Sequence, residues 1–508
     1  MAFSFFRGFV ALLISIFILA LQACNPSFSD KKEDSKDVLK SSEIIPPVAM
    51  SLSQIEQTLW KLDVKLPEIK DKDILKSERV MIFSRSRGDY RRKRFKHLSG
   101  AATLERVGGF DTLIFAPGET QASFEITPQP VTINGTYDPF IDFSDGGLAI
   151  YLGAFELLPV ATTEAIIELD ENIDNWSGEQ LPLPIHVKSS DTLILNGEYL
   201  NDGEVELTIR GGAPYVYMGP SRISRGTSYI GVVDNGLPSW ILESFDDDLA
   251  QLFDFYDGAF GVPLPKLATL LFAFGGADSP GLSNTGGVIE GQIILDVSGS
   301  LMVTPEPRII GYLKWFFAHE AAHLFQKNSE LEGYSDQSDS WISEGGANAM
   351  VDVAFTQMDG IDENVRQSQM GQAYDACVQS IEGSNMADLI RRNDQSHYDC
   401  GQILWWIADA SIKQADIFRI WNEMVANVKV NGRKTYDREL FFETLEKLGT
   451  EKGIITDMQV VLDGPNINPA QTFRKLIEDA DLSAVFDDES LVSIEYPPNR
   501  GLISLSRE

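Results

Sequence analysis

The chain has 508 residues, 43% hydrophobic and 10% aromatic, which is enough apolar matter for a globular protein and too long for one ordinary core. Two or three domains are expected. Its 75 acidic side chains against 42 basic ones give a formal net charge of −33, which disfavours binding to a nucleic-acid backbone, so no nucleic-acid partner is expected.

At the N-terminus a single Arg7 precedes an apolar run over residues 9–20, followed by Leu21-Gln22-Ala23-Cys24. The run falls short of the roughly twenty apolar residues that a membrane span needs. This order resembles a bacterial lipoprotein signal peptide. The resemblance implies cleavage of residues 1–23, lipidation of Cys24 and attachment to a membrane through that lipid. An uncleaved anchor helix is the alternative. Asn25, where an aspartate would mark retention at the inner membrane, points to the outer membrane or the cell surface of a bacterium. Residues 24–46 are polar and charged and read as a flexible tether.

Residues 47–225 read as a β-rich domain of sandwich or saddle-like form. Short apolar runs at 112–116, 123–127, 131–133, 148–152, 166–169, 192–195 and 204–210 are candidate strands. Asn134-Gly135, Asp145-Gly146-Gly147, Asn196-Gly197 and Asp202-Gly203 are hairpin-type turns between them. A basic stretch, residues 85–96, reads as a solvated strand or loop; contact with an anionic surface is its functional alternative.

Residues 226–508 read as a second domain, so the chain as a whole is expected to be α+β. Strands are expected at 215–218 and 229–233. A helix follows Pro238, with Ile241, Leu242, Phe245, Leu249, Leu252, Phe253, Tyr256 and Phe260 on one buried stripe and Gly261 past its end. Residues 267–274 form a buried strand. A glycine-rich loop at 275–287 then leads to an alternating strand at 288–297. Beyond Pro305 the pattern is mainly helical, with weaker signals after residue 471.

The centre of this second domain is Trp315-Phe316-Phe317-Ala318-His319-Glu320-Ala321-Ala322-His323-Leu324-Phe325-Gln326. Histidines four apart lie on one face of a helix, where two neutral imidazoles can bind one Zn²⁺, and the glutamate between them can reach a water molecule beside the metal. The chain holds five histidines in all, which makes this spacing uncommon by chance. After a polar loop, Trp341-Ile342-Ser343-Glu344-Gly345 opens another helix. A carboxylate there completes a His₂Glu set and leaves a fourth position open. Cys377 and Cys400 are either a disulfide or two buried thiols.

With Glu344 in place, the pattern resembles the gluzincin metallopeptidases, in particular the aminopeptidase-N and leukotriene-hydrolase family and the related glycyl aminopeptidases. That resemblance implies a sheet domain ahead of a thermolysin-like catalytic domain. It also implies Zn²⁺ on His319, His323 and Glu344, with Glu320 as general base. Two further stretches are similar to the family. Gly286-Gly287-Val288-Ile289-Glu290-Gly291 resembles its exopeptidase motif, which implies an edge strand at Gly287 that pairs with peptide and a Glu290 that binds the substrate's α-amine. His397-Tyr398-Asp399-Cys400-Gly401 resembles the segment whose tyrosine, here Tyr398, stabilises the oxyanion. His397 itself is read as structural or solvated. The implied function is a zinc peptidase, of aminopeptidase type, acting on peptides at the cell envelope. The alternative is a surface lipoprotein that binds peptide, glycan or a partner protein and carries a vestigial zinc site; hydrolysis of a non-peptide substrate is a third.

Overall fold

A computed structural model of the chain describes residues 48–67, 77–84, 88–131, 133, 136–170, 182–209, 212–327, 331–392, 394–413 and 415–498. The leader with Cys24, the tether, the Asn134-Gly135 turn and the start of the basic stretch lie outside these residues. Among the described residues no helix is long and apolar enough to cross a membrane. The fold is α+β, with several sheets and a helical C-terminal part. It divides into two compact units. The first holds the described residues through Arg225 with Tyr229–Leu237 and Leu267–Ser300, and the second holds Gly226–Ser228, Pro238–Lys266 and the described residues from Leu301 onward.

The first unit is built of sheets. One has six strands in the order β14-β11-β1-β2-β7-β4, formed by β1 (Ala49–Glu56), β2 (Leu59–Lys65), β4 (Phe95–Ser99), β7 (Gln121–Ile126), β11 (Leu183–Lys188) and β14 (Glu204–Ile209). Strand β2 shows the logic: Trp60, Leu62 and Val64 are buried, while Lys61, Asp63 and Lys65 alternate on the other face. A second sheet has the order β10-β3-β6-β5 and contains β3 (Arg79–Phe83), β5 (Ala102–Val107), β6 (Phe110–Phe115) and β10 (Leu157–Val160). A third, β13-β12-β15-β9-β8, contains β8 (Phe140–Asp142), β9 (Leu148–Tyr151), β12 (Leu193–Leu195), β13 (Glu198–Leu200) and β15 (Tyr215–Met218). A fourth, mixed sheet runs β16-β17-β18-β20-β19, from β16 (Arg222–Arg225), β17 (Tyr229–Val233), β18 (Ala268–Phe274), β19 (Ser283–Ile289) and β20 (Gln292–Ser298).

Four local expectations change. The basic stretch is neither strand nor loop throughout. It holds a four-residue helix, α1 (Arg91–Arg94), whose Arg91 is buried and paired with Asp111 at 3.0 Å. Residues 166–169 are not a strand but part of helix α2 (Thr163–Asp170), whose start is capped by Thr162 Oγ1 accepting from the Ala165 N–H. So short an apolar run has no period to separate the two readings. Val131 and Ile133 lie outside any strand; Pro128 and Pro130 beside them have no N–H to give a ladder. The loop expected at 275–287 is shorter, because β19 begins at Ser283 and pairs antiparallel with β20 from Ser283↔Ser298 to Ile289↔Gln292. The strand expected at 288–297 is thus broken by a two-residue turn, Glu290-Gly291, with φ of +45° and +77°.

The second unit is helical. Helix α3 (Ser239–Phe260) buries the stripe read from the sequence except for Leu242, which is half-buried, and ends on Gly261 in the left-handed conformation. It lies along α4 (Pro307–Lys327), where Phe245 meets Phe317 edge to face at 5.4 Å, Phe260 stacks on Phe325 at 5.4 Å, and Tyr256 donates to Ala318 O at 3.1 Å. Next come α5 (Trp341–Phe355), α6 (Glu363–Ile381), α7 (Met386–Arg391), α8 (Ser396–Ser411), α9 (Ile417–Val430), α10 (Arg438–Leu448), α11 (Lys452–Asp463) and α12 (Pro469–Asp479). The tail closes with a hairpin, Ala484–Asp487 and Ser490–Ile494. Cys377 of α6 and Cys400 of α8 form a disulfide, which settles the choice left open by the sequence.

Candidate metal centre

Helices α5 and α8 cross with their backbones in contact. A Cβ on Gly345 would lie 2.3 Å from the Gly401 carbonyl carbon, so only glycine fits at this crossing. Glu344 is the neighbour of one glycine and Cys400 the neighbour of the other. Helix α4 lies against α5 and brings His319 and His323 to the same place. The loop between α4 and α5 is tied down by a short parallel pairing of Gly333–Tyr334 with Thr435–Tyr436, and by Arg438 on Asp339 at 2.6 Å.

The three expected ligand side chains converge. His319 Nε2 and His323 Nε2 are 3.1 Å apart; Glu344 Oε2 is 2.9 Å from His323 Nε2 and 3.5 Å from His319 Nε2. Both imidazoles are fixed from behind. Asn348 Oδ1 accepts from His319 Nδ1 at 2.8 Å, and Gln326 Oε1 accepts from His323 Nδ1 at 2.8 Å. The Gln326 amide is oriented by its own Nε2, which donates to Ser343 O at 3.2 Å. With each Nδ1 carrying its hydrogen, each Nε2 presents a lone pair to the centre.

Two lone pairs and a carboxylate oxygen facing one another at contact distance repel unless a cation lies among them. Zinc–ligand bonds of about 2.0–2.1 Å at tetrahedral angles put neighbouring ligand atoms about 3.3 Å apart, close to the spacings here. The donor set therefore fits zinc. Burial alone would raise the Glu344 carboxyl, but the His323 and His319 imidazoles, when protonated, outweigh it and hold it well below the usual carboxylate range.

Glu320, one residue after His319, is buried in α4. Tyr398, in the first turn of α8, packs its ring against His319 at 5.9 Å and is backed by the His397 ring at 4.1 Å. His397 is structural: it is buried, its Nδ1 is 2.7 Å from Asp394 O, and burial pushes it below its ordinary value. The structure thus brings His319, His323, Glu344 and Tyr398 together, with Glu320 on the same helix as the two histidines. Gly287 and Glu290 belong to the first unit. Gly287 lies on edge strand β19, opposite Ile294. Glu290 is in the turn after that strand, exposed, with its carboxylate against Gly212.

Four residues around the centre have no role in the sequence reading. Asn348 and Gln326 hold the imidazoles. Trp315 stacks on His319 at 5.1 Å, one turn before it. Tyr334 is raised to about 12 by burial and by the nearby Glu344 carboxylate. A local signal existed for the first two: a polar side chain four residues after Glu344 and another three after His323, each in a run of buried residues.

Comparison with protein-family models and with curated proteins finds no match. Among solved structures, an aminopeptidase N family protein from Idiomarina loihiensis superposes with a TM-score of 0.59 at 10% identity, covering 84% of this chain and 78% of that one. The yeast LTA4 hydrolase, solved with bestatin, gives 0.46 at 12% identity over 87% of this chain and 72% of its own. The first likeness shows a shared fold across most of both chains.

Proposed function

We propose that this chain is a zinc-dependent peptidase of aminopeptidase type, in which a β-rich domain precedes a thermolysin-like catalytic domain. The observation that carries the reading is the convergence of His319, His323 and Glu344 within 4.8 Å, with both imidazoles locked in the tautomer that a metal requires. The shared fold with an aminopeptidase N family protein supports it.

Zinc held by His319, His323 and Glu344 would polarise a peptide carbonyl and lower the pKa of a water molecule. Glu320 takes the proton of the attacking water on its carboxylate and delivers it to the leaving amine nitrogen as the C–N bond breaks. Tyr398 donates its phenolic hydrogen bond to the carbonyl oxygen as negative charge builds there. The His397 ring behind it limits the directions in which that phenol can turn. Glu290 is the candidate for the substrate's α-amine and Gly287 for pairing with peptide backbone, both on motif resemblance. Lipid on Cys24 would place this activity at the outer membrane or surface of a bacterial envelope.

Metal analysis and peptide hydrolysis test the proposal together. The purified protein should hold one zinc per chain and cleave amino-acid amides faster than N-blocked peptides. Glu320→Gln should keep the zinc and lose a factor of about 10²–10⁴ in kcat. A chain that binds no zinc, or a Glu320→Gln variant as active as the parent, would overturn it. Glu290→Ala should impair free-amine substrates more than blocked ones; equal effects remove its assigned role.

A further inference from the structure

Two side-chain rows, one on α5 and one on α8, meet at their last members. On α5 the row is Glu344, Asn348, Asp352; on α8 it is Tyr398, Gln402, Trp406. Both rows have the spacing of four that stacks side chains along one helix face. The last pair of rungs is polar and buried. A single oxygen, Asp352 Oδ2, accepts from Gln402 Nε2 at 2.7 Å and from Trp406 Nε1 at 2.8 Å. Asp352, Gln402 and Trp406 are all buried.

The contact at Gly345 and Gly401 brings the helices close, with the Trp405 ring packed against Gly346 and Trp341 against Gly401. Trp405 Nε1 donates to Ile342 O at 3.0 Å on the near side of that pivot, and the disulfide at Cys400 anchors α8 to α6 rather than to α5. Further along α5, Asp352 adds directed bonds to the register that Trp405 begins. One oxygen shared between donors one turn apart defines a point. Advancing α8 by a residue moves it about 1.5 Å along its axis and turns it by about 100°, which breaks both bonds at once. Tyr398 sits one turn before Gln402, so the same register sets its phenol against His319.

We propose that Asp352 is the positioning residue for Tyr398. By taking Gln402 and Trp406 on one carboxylate oxygen, it fixes the register of α8 and so the distance from the Tyr398 phenol to the His319, His323 and Glu344 cluster. The proposal rests on the peptidase reading in giving Tyr398 its catalytic role. Asp352 touches neither substrate nor metal ligand and acts through Tyr398 alone.

The test is a cycle of variants on an amino-acid amide substrate. Asp352→Ala should lower kcat by about tenfold to a hundredfold, with KM within about twofold and the zinc content unchanged. In a Tyr398→Phe background the same change should cost nothing beyond about twofold, because the group it positions is gone. Asp352→Asn, which keeps an oxygen acceptor, should restore most of the rate. Trp406→Phe, which removes one donor, should fall between parent and Asp352→Ala. Trp406→Phe also carries the test if Asp352→Ala does not fold. Equal losses in both backgrounds, a change confined to KM, or loss of zinc would overturn the proposal. A fluorotyrosine label gives a readout without turnover. The Tyr398 resonance, assigned by its disappearance in Tyr398→Phe, should shift in Asp352→Ala, and an unmoved resonance overturns the proposal. If the parent binds no zinc and cleaves nothing, the peptidase reading fails by itself and the resonance still decides whether Asp352 positions Tyr398.

Discussion

Gln326 gives the most direct way to separate a held imidazole from a free one. Two bonds of its amide have different jobs: Oε1 fixes the His323 ring at 2.8 Å, and Nε2 holds the carbonyl of Ser343, the residue before Glu344, at 3.2 Å. Gln326→Met keeps the length of the side chain and removes both. At about 1 kcal/mol net for each bond, the loss is about 2 kcal/mol, or about thirtyfold in zinc affinity. Asn348→Ala removes a single bond, to His319 Nδ1 at 2.8 Å, and should cost about fivefold by the same reckoning. Competition for zinc against a chromogenic chelator at neutral pH reads both directly, and needs no substrate. The expected order is parent, then Asn348→Ala, then Gln326→Met. A Gln326→Met variant that binds zinc like the parent, or an inverted order, would refute the claim that these amides orient the imidazoles and set the carboxylate's position.

Replacing Cys377 and Cys400 together by serine opens a bridge between residues 23 apart and should cost about 3 kcal/mol in equilibrium unfolding; an unchanged midpoint in denaturant would contradict this. Asp296 is pushed up to about 7, first by burial and then by the Asp138, Asp234 and Asp142 carboxylates. The folded protein therefore keeps a proton there that the unfolded chain releases near its ordinary value of 3.8, so stability is lost as pH rises from about 4 to about 7. Asp296→Asn should leave the melting temperature unchanged at pH 4 and raise it at pH 8, by on the order of 4 kcal/mol in free energy; a gain that is the same at both pH values would contradict the assignment. Gly345→Ala must push α8 away from α5 and should cost about 1–3 kcal/mol with a loss of turnover, both measurable on one purified sample. Glu290→Asn converts the β19–β20 turn to Asn-Gly, the pair that best tolerates two positive φ values, and should stabilise the fold by about 0.5–1 kcal/mol in thermal unfolding.

What the sequence made legible was whatever depends on local spacing. Histidines four apart share a helix face whatever surrounds them, and the stripe from Ile241 to Phe260 needs only a period of 3.6 to be seen. Strand β18 is legible as a short, nearly continuous apolar run, whereas the alternating β2 is not among the expected strands. What failed was local too, but ambiguous. Residues 166–169 are too few to distinguish a period of two from one of 3.6. Glu290-Gly291 reads as part of an alternating run because a left-handed glutamate carries no compositional signal. The apolar stretch at 131–133 has a strand's composition, but Pro128 and Pro130 beside it have no N–H for a ladder.

The Cys377–Cys400 bond and the Asn348 and Gln326 contacts belong to a different class. Each joins residues whose separation is set by how helices pack, and one chain gives no period from which to read that. The residues that decide the packing are themselves visible: Gly345 and Gly401 are unremarkable glycines in sequence, yet their lack of side chains lets two helices touch. Close approach at that crossing puts Glu344 and Tyr398 within reach of the same pair of imidazoles. The Trp405 ring packed on Gly346 holds the helices together there, and Asp352 adds directed bonds further along. A buried carboxylate raised to about 6 by its burial is a costly way to supply them. An apolar pair at Asp352 and Trp406 would pack α5 on α8 without that cost, but would tolerate a small slide of one helix past the other. Retaining the carboxylate is understandable where an ångström of slide matters, as it does when a phenol one turn away must meet a developing charge.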